Sequence, residues 1–337
     1  MATVAEVNAL CADTYMPYLT TNFGTESVAT KILFGKGKKL SGGPMIRQTP
    51  LYQYTKGGPF VRGTVFDTSG EENALGLGVS WRYYYFPATL FLQDLVENNG
   101  PMQIHDILNV RMTAMKRGAQ ERISNDLFNG AATTIGGVSV GGGNDSSTII
   151  NSLDNALDSG TALQSSATYA GVAKGTYTWF AGNTTSGSSA ALTIKMVNQS
   201  YFDTIDGGIS ADLGITSPRA VLAYQNLEWA KQQYNNVQSG PLEAGFALKT
   251  YHNGVPVVAD NHCPGGLTEA SNRWYWLNTS PEFLNFFVHN EWNFKMRPWM
   301  EPYDQGAQTT QIILACNLLV GDPNRHSVLH TFSLDTP

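Results

Sequence analysis

The stretch from Pro101 to Asn129 constrains this chain more than any other. Gly100-Pro101 opens it, with proline in the first helical turn where its missing N–H costs nothing, and Gly130 stands at the usual stopping position. Between them Ile104, Leu108, Met112, Met115, Ala119, Ile123 and Leu127 form one apolar stripe. Asp106, Arg111, Lys116, Arg117, Glu121, Arg122 and Asp126 lie largely off it. At about 1.5 Å per residue the predicted helix is roughly 40 Å long, a strut for whatever packs along it.

Around this strut the pattern is β-like. Residues 42–79 hold two short apolar runs, LYQY and FVRGTVF, set off by Lys56-Gly57-Gly58-Pro59 and Asp67-Thr68-Ser69-Gly70-Glu71-Glu72-Asn73. They predict a long two-stranded excursion, and a hairpin standing alone is marginal in water, so it needs another surface. Trp81-Arg82-Tyr83-Tyr84-Tyr85-Phe86 suits a strand better than a stacking platform, because such residues favour pleated, half-buried positions. Val4, Val7, Cys11, Tyr15 and Tyr18 mark a short amphipathic helix or arm in residues 3–20. Short helices are expected over Thr148–Leu157, Leu192–Ile205 and, from the Ser217-Pro218 start, to Tyr234; Ser165–Ser189 reads as irregular. Late β-rich runs, VPVVAD, RWYWLN, FLNFFV and TQIILACNLLV, close a sheet at long range and make the class α+β.

Composition excludes several functions. The 337 residues are 42% hydrophobic, enough for a sizeable core, and only 14% charged, against roughly one quarter in ordinary domains. A net charge of −6 argues against a broad basic face for nucleic acid. The run Gly35-Lys36-Gly37-Lys38-Lys39 is short enough to read as a solvated loop. Cys11, Cys263 and Cys316 are odd in number and far apart, which suits reduced thiols rather than a disulfide framework. The N-terminus lacks a basic leader with an apolar run, and no stretch is long and apolar enough to span a bilayer, so a soluble protein used without export is expected. Chance supplies the N-x-S/T triplets at Asn144, Asn183, Asn198 and Asn278 in a chain this rich in these residues.

Candidate chemistry is thin. Gly137-Val138-Ser139-Val140-Gly141 matches the G-x-S-x-G elbow, yet no strand leads into it and no helix leads out, and that strained turn is what lifts the hydroxyl. It also lacks the spacing of a P-loop or a dinucleotide site. Asp260 and His262 follow Ser139 in hydrolase order, but two residues apart they read as a turn after VPVVAD. Asp260, His262 and Cys263, with His252 nearby, would need a further ligand to hold a metal. Glu71-Glu72 alone makes no acid/base couple. No catalytic residue, cofactor or metal is expected.

The order of phrases resembles the HK97-type major capsid proteins of tailed bacteriophages over nearly the whole chain. It is carried by SGGPMIRQTPLYQY, VSWRYYYFPATLF, ENNGPMQIHDILNVRMTAMKRGAQERISNDLFNG, TYAGVAKGTYTWFAG, GVPVVADNHCPGG, RWYWLNTSPEF and PWMEPYDQGAQTTQIILACNLLVGDPNRH, in that order. The resemblance implies an HK97-like fold with an N-terminal arm at residues 1–40 and an extended loop (E-loop) at 41–80. A peripheral domain would span 81–164 with its spine helix at 101–129, an axial domain 165–285, and return strands 286–337. Gly136, Gly137, Gly141, Gly142 and Gly143 would then be a hinge past the spine helix, since glycine tolerates the different bends that pentamers and hexamers demand.

The function implied is a structural shell: a virion protein, assembled in the host cytoplasm, that builds an icosahedral head around double-stranded DNA. Low charge density, extended segments without local burial and the lack of a catalytic set favour extensive subunit contact independently of the resemblance. Candidate inter-subunit contacts are Lys56, Arg62, Glu71 and Glu72 in the loop and Arg297 and Glu301 around PWMEP; ordinary solvent-facing charge is the competing account of each. Implied partners are further copies of the chain in pentamers and hexamers, a portal, a decoration protein, weakly held DNA, and a separate scaffold, because no coiled-coil segment precedes the arm; no membrane is implied. Two rivals stand beside this reading: an encapsulin-like nanocompartment, and a serine hydrolase using Ser139.

Overall fold

A computed structural model describes residues 27–53, 55–66, 69–97, 107–128, 133–135, 138–140, 148–159, 163, 168–229, 250–265, 272–302 and 306–334. In chain order the elements are α1 (Val28–Gly35), β1 (Lys38–Leu40), β2 (Ile46–Gln48), β3 (Leu77–Val79), β4 (Arg82–Phe91), α2 (Leu92–Glu97), α3 (Ile107–Phe128), β5 (Thr133–Ile135), β6 (Val138–Val140) and α4 (Leu153–Leu157). There follow β7 (Thr168–Tyr169), β8 (Val172–Ala173), β9 (Asn183–Ser186), α5 (Ile194–Phe202), β10 (Leu213–Thr216), α6 (Pro218–Trp229), β11 (Thr250–His252) and β12 (Val255–Ala259). The last strands are β13 (Arg273–Leu277), β14 (Leu284–His289), β15 (Lys295–Met296), β16 (Ala307–Val320) and β17 (Ser327–His330). The class is α+β, as the late strand runs suggested.

The strut exists as α3, and Met115, Ala119, Ile123 and Leu127 are buried along it. Pro101–Asp106 and the arm up to Glu26 lie outside the described residues. Asp126 departs from expectation: it is buried, accepting from the Tyr84 hydroxyl at 2.8 Å and from Arg122 Nε at 3.1 Å. The four-residue repeat cannot reveal this, because the partner tyrosine comes from a strand.

The first sheet is built on β16. Its first ten residues pair antiparallel with the whole of β4, while β14 and β15 pair along its other edge and β1 adds parallel to β14. The aromatic phrase is therefore a strand, and its alternation is clean: Tyr84, Ala88 and Leu90 are buried while Tyr83, Tyr85 and Pro87 are exposed. Ala88 and Ile312 pack with Met115 of α3, so the strut covers that face. Pro87 is tolerated because β4 is an edge strand among the described residues, where a missing N–H breaks no second ladder.

The second sheet has the order β11-β12-β10-β13-β17-β9. Alternation along β13 sends Trp274 and Trp276 to one face, where Tyr201 of α5 and Ala220 and Tyr224 of α6 complete a core. Tyr275 and Leu277 point the other way, into a core shared with Phe128 of α3, Leu153 and Leu157 of α4, and Leu314–Val320 of β16. Ser217 caps α6, as its Ser-Pro start suggested, through Ala220 N–H at 3.3 Å.

Other expectations are revised. Among the described residues the excursion pairs as strands at its base, Ile46–Gln48 with Leu77–Val79, followed by a bridge between Leu51 and Ala74 and a bond from Tyr52 N–H to Asn73 C=O at 3.0 Å. FVRGTVF is not a strand: Thr64 N–H donates to Val61 C=O at 3.0 Å, closing a turn with Gly63 at φ +92°. Lys56-Gly57-Gly58-Pro59 offers the ladder little to hold. Ser165–Ser189 contains the β7–β8 pair and β9, which joins the second sheet parallel to β17. The helix expected from Thr148 is confined to α4, capped by Ser152. The lysine run is no free loop: it ends α1 and forms β1, with Lys36 bonded to the Thr279 hydroxyl and 3.7 Å from Asp212, and Lys38 Nζ 2.8 Å from Pro281 C=O.

Gly214 sits in the central strand β10 opposite Trp276, where an added Cβ would lie 2.7 Å from the indole and 3.1 Å from Val257. Gly214→Ala is expected to cost roughly 1–3 kcal/mol by overpacking, measured as a lower urea midpoint at unchanged m-value.

Candidate assembly interface

The excursion carries its apolar side chains into solvent. Leu51 is 81% exposed, Phe60 68%, Val61 76%, Val65 92% and Phe66 64%. Phe60 and Phe66 flank the Val61–Thr64 turn and meet edge to face, with ring centroids 5.3 Å apart, so the tip is a preformed knob. Its root is held by Tyr52 stacked on Trp179 at 5.2 Å. Lys56 and Glu71 bond to each other: the Lys56 N–H donates to the carboxylate at 3.0 Å and the ammonium lies 3.2 Å from its other oxygen. That pair stiffens the loop from within, while Arg62 and Glu72 stand exposed.

Arg297 and Glu301 are also exposed. Arg297 N–H donates to Gln311 C=O at 2.9 Å, which extends the first sheet, and Glu301 accepts from Gln308 Nε2 at 3.1 Å. Six charges singled out in the sequence thus fall in two places, the loop and the margin of the sheet.

The start of α1 is fixed by a residue the sequence assigned to a turn. Asp260, after β12, accepts from Ser27 Oγ at 2.6 Å and from Ala29 N–H at 2.9 Å, satisfying the start of α1 from across the fold. Its other oxygen accepts from His262 N–H at 2.9 Å. Burial pushes the Asp260 carboxyl up, but hydrogen bonds from His262, Ser27 and the Ala29 and His262 backbone outweigh it and hold it below 3.8. Thr30 Oγ1 and Ser124 Oγ, 2.8 Å apart, tie α1 to α3, and an apolar cavity of about 270 Å³ lies between these helices, lined by Phe34, Ile123 and Phe294 with Lys31 at its edge. A capping signal 233 residues away in sequence is invisible to local pattern.

Among the described residues the serine-elbow geometry is not formed. Ser139 pairs with Thr134 in the middle of the β5–β6 hairpin, so it is not on a strand-to-helix turn. Gly136, Gly137, Gly141, Gly142 and Gly143 lie outside the described residues. His252 Nδ1 is 2.6 Å from the Tyr224 hydroxyl, and Cys263 is buried, with desolvation and the nearby Asp260 and Asp154 carboxylates pushing its thiol well up. Among the described residues no group of three His, Cys, Asp or Glu side chains could hold a metal ion, and no helix is long and apolar enough to cross a membrane.

No family model matches the sequence, and no curated protein matches it. The fold does match solved structures. The chain is similar to the capsid subunit of cyanophage A-1(L), with a TM-score of 0.73 at 15% identity over 98% of this chain and 99% of that one. It is similar to the capsid of Myoviridae phage XM1, at 0.56 and 11% over 95% and 97%. The SrpI encapsulin of Synechococcus elongatus PCC 7942 gives 0.58 and 10% over 97% and 96%.

Asp260→Ala leaves the Ser27 cap on Thr30 N–H but removes the charged acceptor of Ser27 Oγ and Ala29 N–H, and is expected to cost about 1.5–3 kcal/mol at pH 7. The native pKa lies below the ordinary 3.8, so the carboxylate's contribution is full above that value and is lost as pH falls through the native one. Denaturant unfolding should therefore show the wild type losing more stability than the variant on acidification below 3.8.

Proposed function

We propose that this chain, which has the HK97-type capsid fold, is the major capsid protein of a tailed bacteriophage and assembles into the icosahedral head around double-stranded DNA. One observation carries the reading beyond the fold: an apolar knob, Phe60 to Phe66, held in water by a loop braced at its root and along its length. A monomer gains nothing from that arrangement, whereas burying each such side chain on a neighbour is worth about 1.5–3 kcal/mol.

In this reading the first sheet with α3 is the peripheral domain and the second sheet with α5 and α6 is the axial domain. Residues 41–80 are the E-loop, and residues 1–40 the arm, whose described part, α1 and β1, packs on the body. The glycines at 136, 137 and 141–143 accommodate the differing bends of pentamers and hexamers. Lys56 and Glu71 shape the loop; Arg62, Glu72, Arg297 and Glu301 are the charges that reach neighbours. The protein is not an enzyme. It is made in the host cytoplasm, where a separate scaffold, a portal and a decoration protein would join it, and resides in the virion. The DNA contact is weak, in keeping with a net charge of −6.

The similarity to an encapsulin supports a second reading, a protein nanocompartment. The two differ in contents: a head carries a genome, and a nanocompartment carries enzyme cargo. Electron microscopy of the purified chain should show uniform closed particles. Deleting residues 56–72 should leave a soluble subunit with unchanged far-ultraviolet circular dichroism that forms none; normal shells from the deletion would contradict the role given to the loop.

A further inference from the structure

The cavity between α1 and α3 has a wall of three parts. Helical spacing brings Ser27, Thr30, Lys31 and Phe34 to it from one side and Gln120, Ile123 and Ser124 from the other. Phe294, just before β15, forms the third side, held there by a left-handed backbone at φ +48° with its ring centroid 6.0 Å from that of Phe34. The hydroxyls in this wall are already engaged. Ser27 Oγ donates to Asp260 at 2.6 Å, Thr30 Oγ1 to Ser27 Oγ at 3.0 Å, and Ser124 Oγ to Gln120 C=O at 2.8 Å. Each hydroxyl has one proton to give, so none is left for a ligand, and whatever lies against them must be apolar.

At the mouth the chemistry changes. Lys31 and Gln120 are exposed, and among the described residues the Lys31 ammonium has no hydrogen bond or ion pair. Asp260 stands behind Ser27 and repels an anion from that end, whereas Lys31 attracts one. We propose that the cavity binds a small amphipathic monoanion, a medium-chain alkanoate, with its chain against Phe34, Ile123 and Phe294 and its carboxylate at Lys31. A single cation selects a single negative charge, and the engaged hydroxyls disfavour a sugar or nucleotide body, whose polar groups would find no partner. The size agrees: an apolar cavity of about 150 Å³ takes benzene, and the one here, at about 270 Å³, takes a longer apolar body. A bound chain touches both helices and Phe294 at once and so braces α1 on the strut. Nothing in this inference needs a second copy, so it stands apart from the assembly reading.

The test titrates octanoate and octylammonium, below their micellar concentrations, into the full chain by calorimetry. Octanoate should bind saturably at one site per chain and more tightly than octylammonium. Lys31→Glu should weaken octanoate by roughly fivefold, the worth of reversing an exposed ion pair, and strengthen octylammonium, so that the preference inverts. Phe294→Ala should weaken both ligands by about fivefold, because a half-exposed ring contributes part of its full burial. Neither residue is buried, so both variants should melt as the wild type does. Bound octanoate should also slow amide hydrogen exchange in α1 and around Ile123. Heat that rises without saturation, equal affinity for the two ligands, or an octanoate affinity indifferent to Lys31→Glu would overturn the assignment, whether or not the chain forms particles.

Discussion

Everything in this fold depends on the pairing and burial of β16. Its first ten residues lie against β4 and its last five against β14, so a single strand splices together Arg82–Phe91 and Leu284–His289, which are remote in sequence. From Leu314 to Val320 every residue is buried, the apolar ones in the core that also holds Ile123, Leu127 and Phe128 of α3. Removing this strand from either neighbour would expose the core it shares with α3 and α4. Because its ladders join the end of the chain to its middle, the closure entropy must be met by burial over the full strand length.

Buried polar contacts fix how the layers sit on that strand. Asn317, inside β16, accepts from the N–H of Asn151 and Leu318 and donates to Ser80 C=O, locking the start of α4 and the entry to β4 to one register. Asp126 joins the strut to Tyr84, whose hydroxyl also accepts from Ile150 N–H. Asp154 accepts from the Tyr275 hydroxyl at 2.6 Å and faces Arg273, joining α4 to the second sheet. Each joint carries at least two hydrogen bonds, those of Asp126 both on one oxygen, and such bonding is what lets a buried polar group specify an arrangement rather than merely cost desolvation.

With the body so rigidly specified, the exposed parts acquire meaning. In the proposed assembly reading, a well-packed domain that leaves Phe60, Val65 and Phe66 in water keeps burial in reserve for another molecule. In the same reading the exposed Tyr83 and Tyr85 of β4 are further apolar surface left uncovered in one copy. A shell subunit needs this division between a stiff body and apolar extensions, because a lattice is strong only if contact energy is not spent within the monomer.

The sequence by itself determined the elements whose pattern is local: the apolar stripe of α3, the alternation of β4 and β13, the Ser217 cap, the long apolar run of β16. It also located the loop and several of its charges. It could not determine that FVRGTVF turns back as a knob instead of pairing, since strand propensity describes a surface seeking a partner and not whether one is present. Nor could it reveal that Asp260 caps α1, that Asp126 leaves the solvent face, or that Lys56 and Glu71 meet. Those were decided by tertiary structure, because a polar group's role depends on which distant donor the packed core brings within about 3 Å of it.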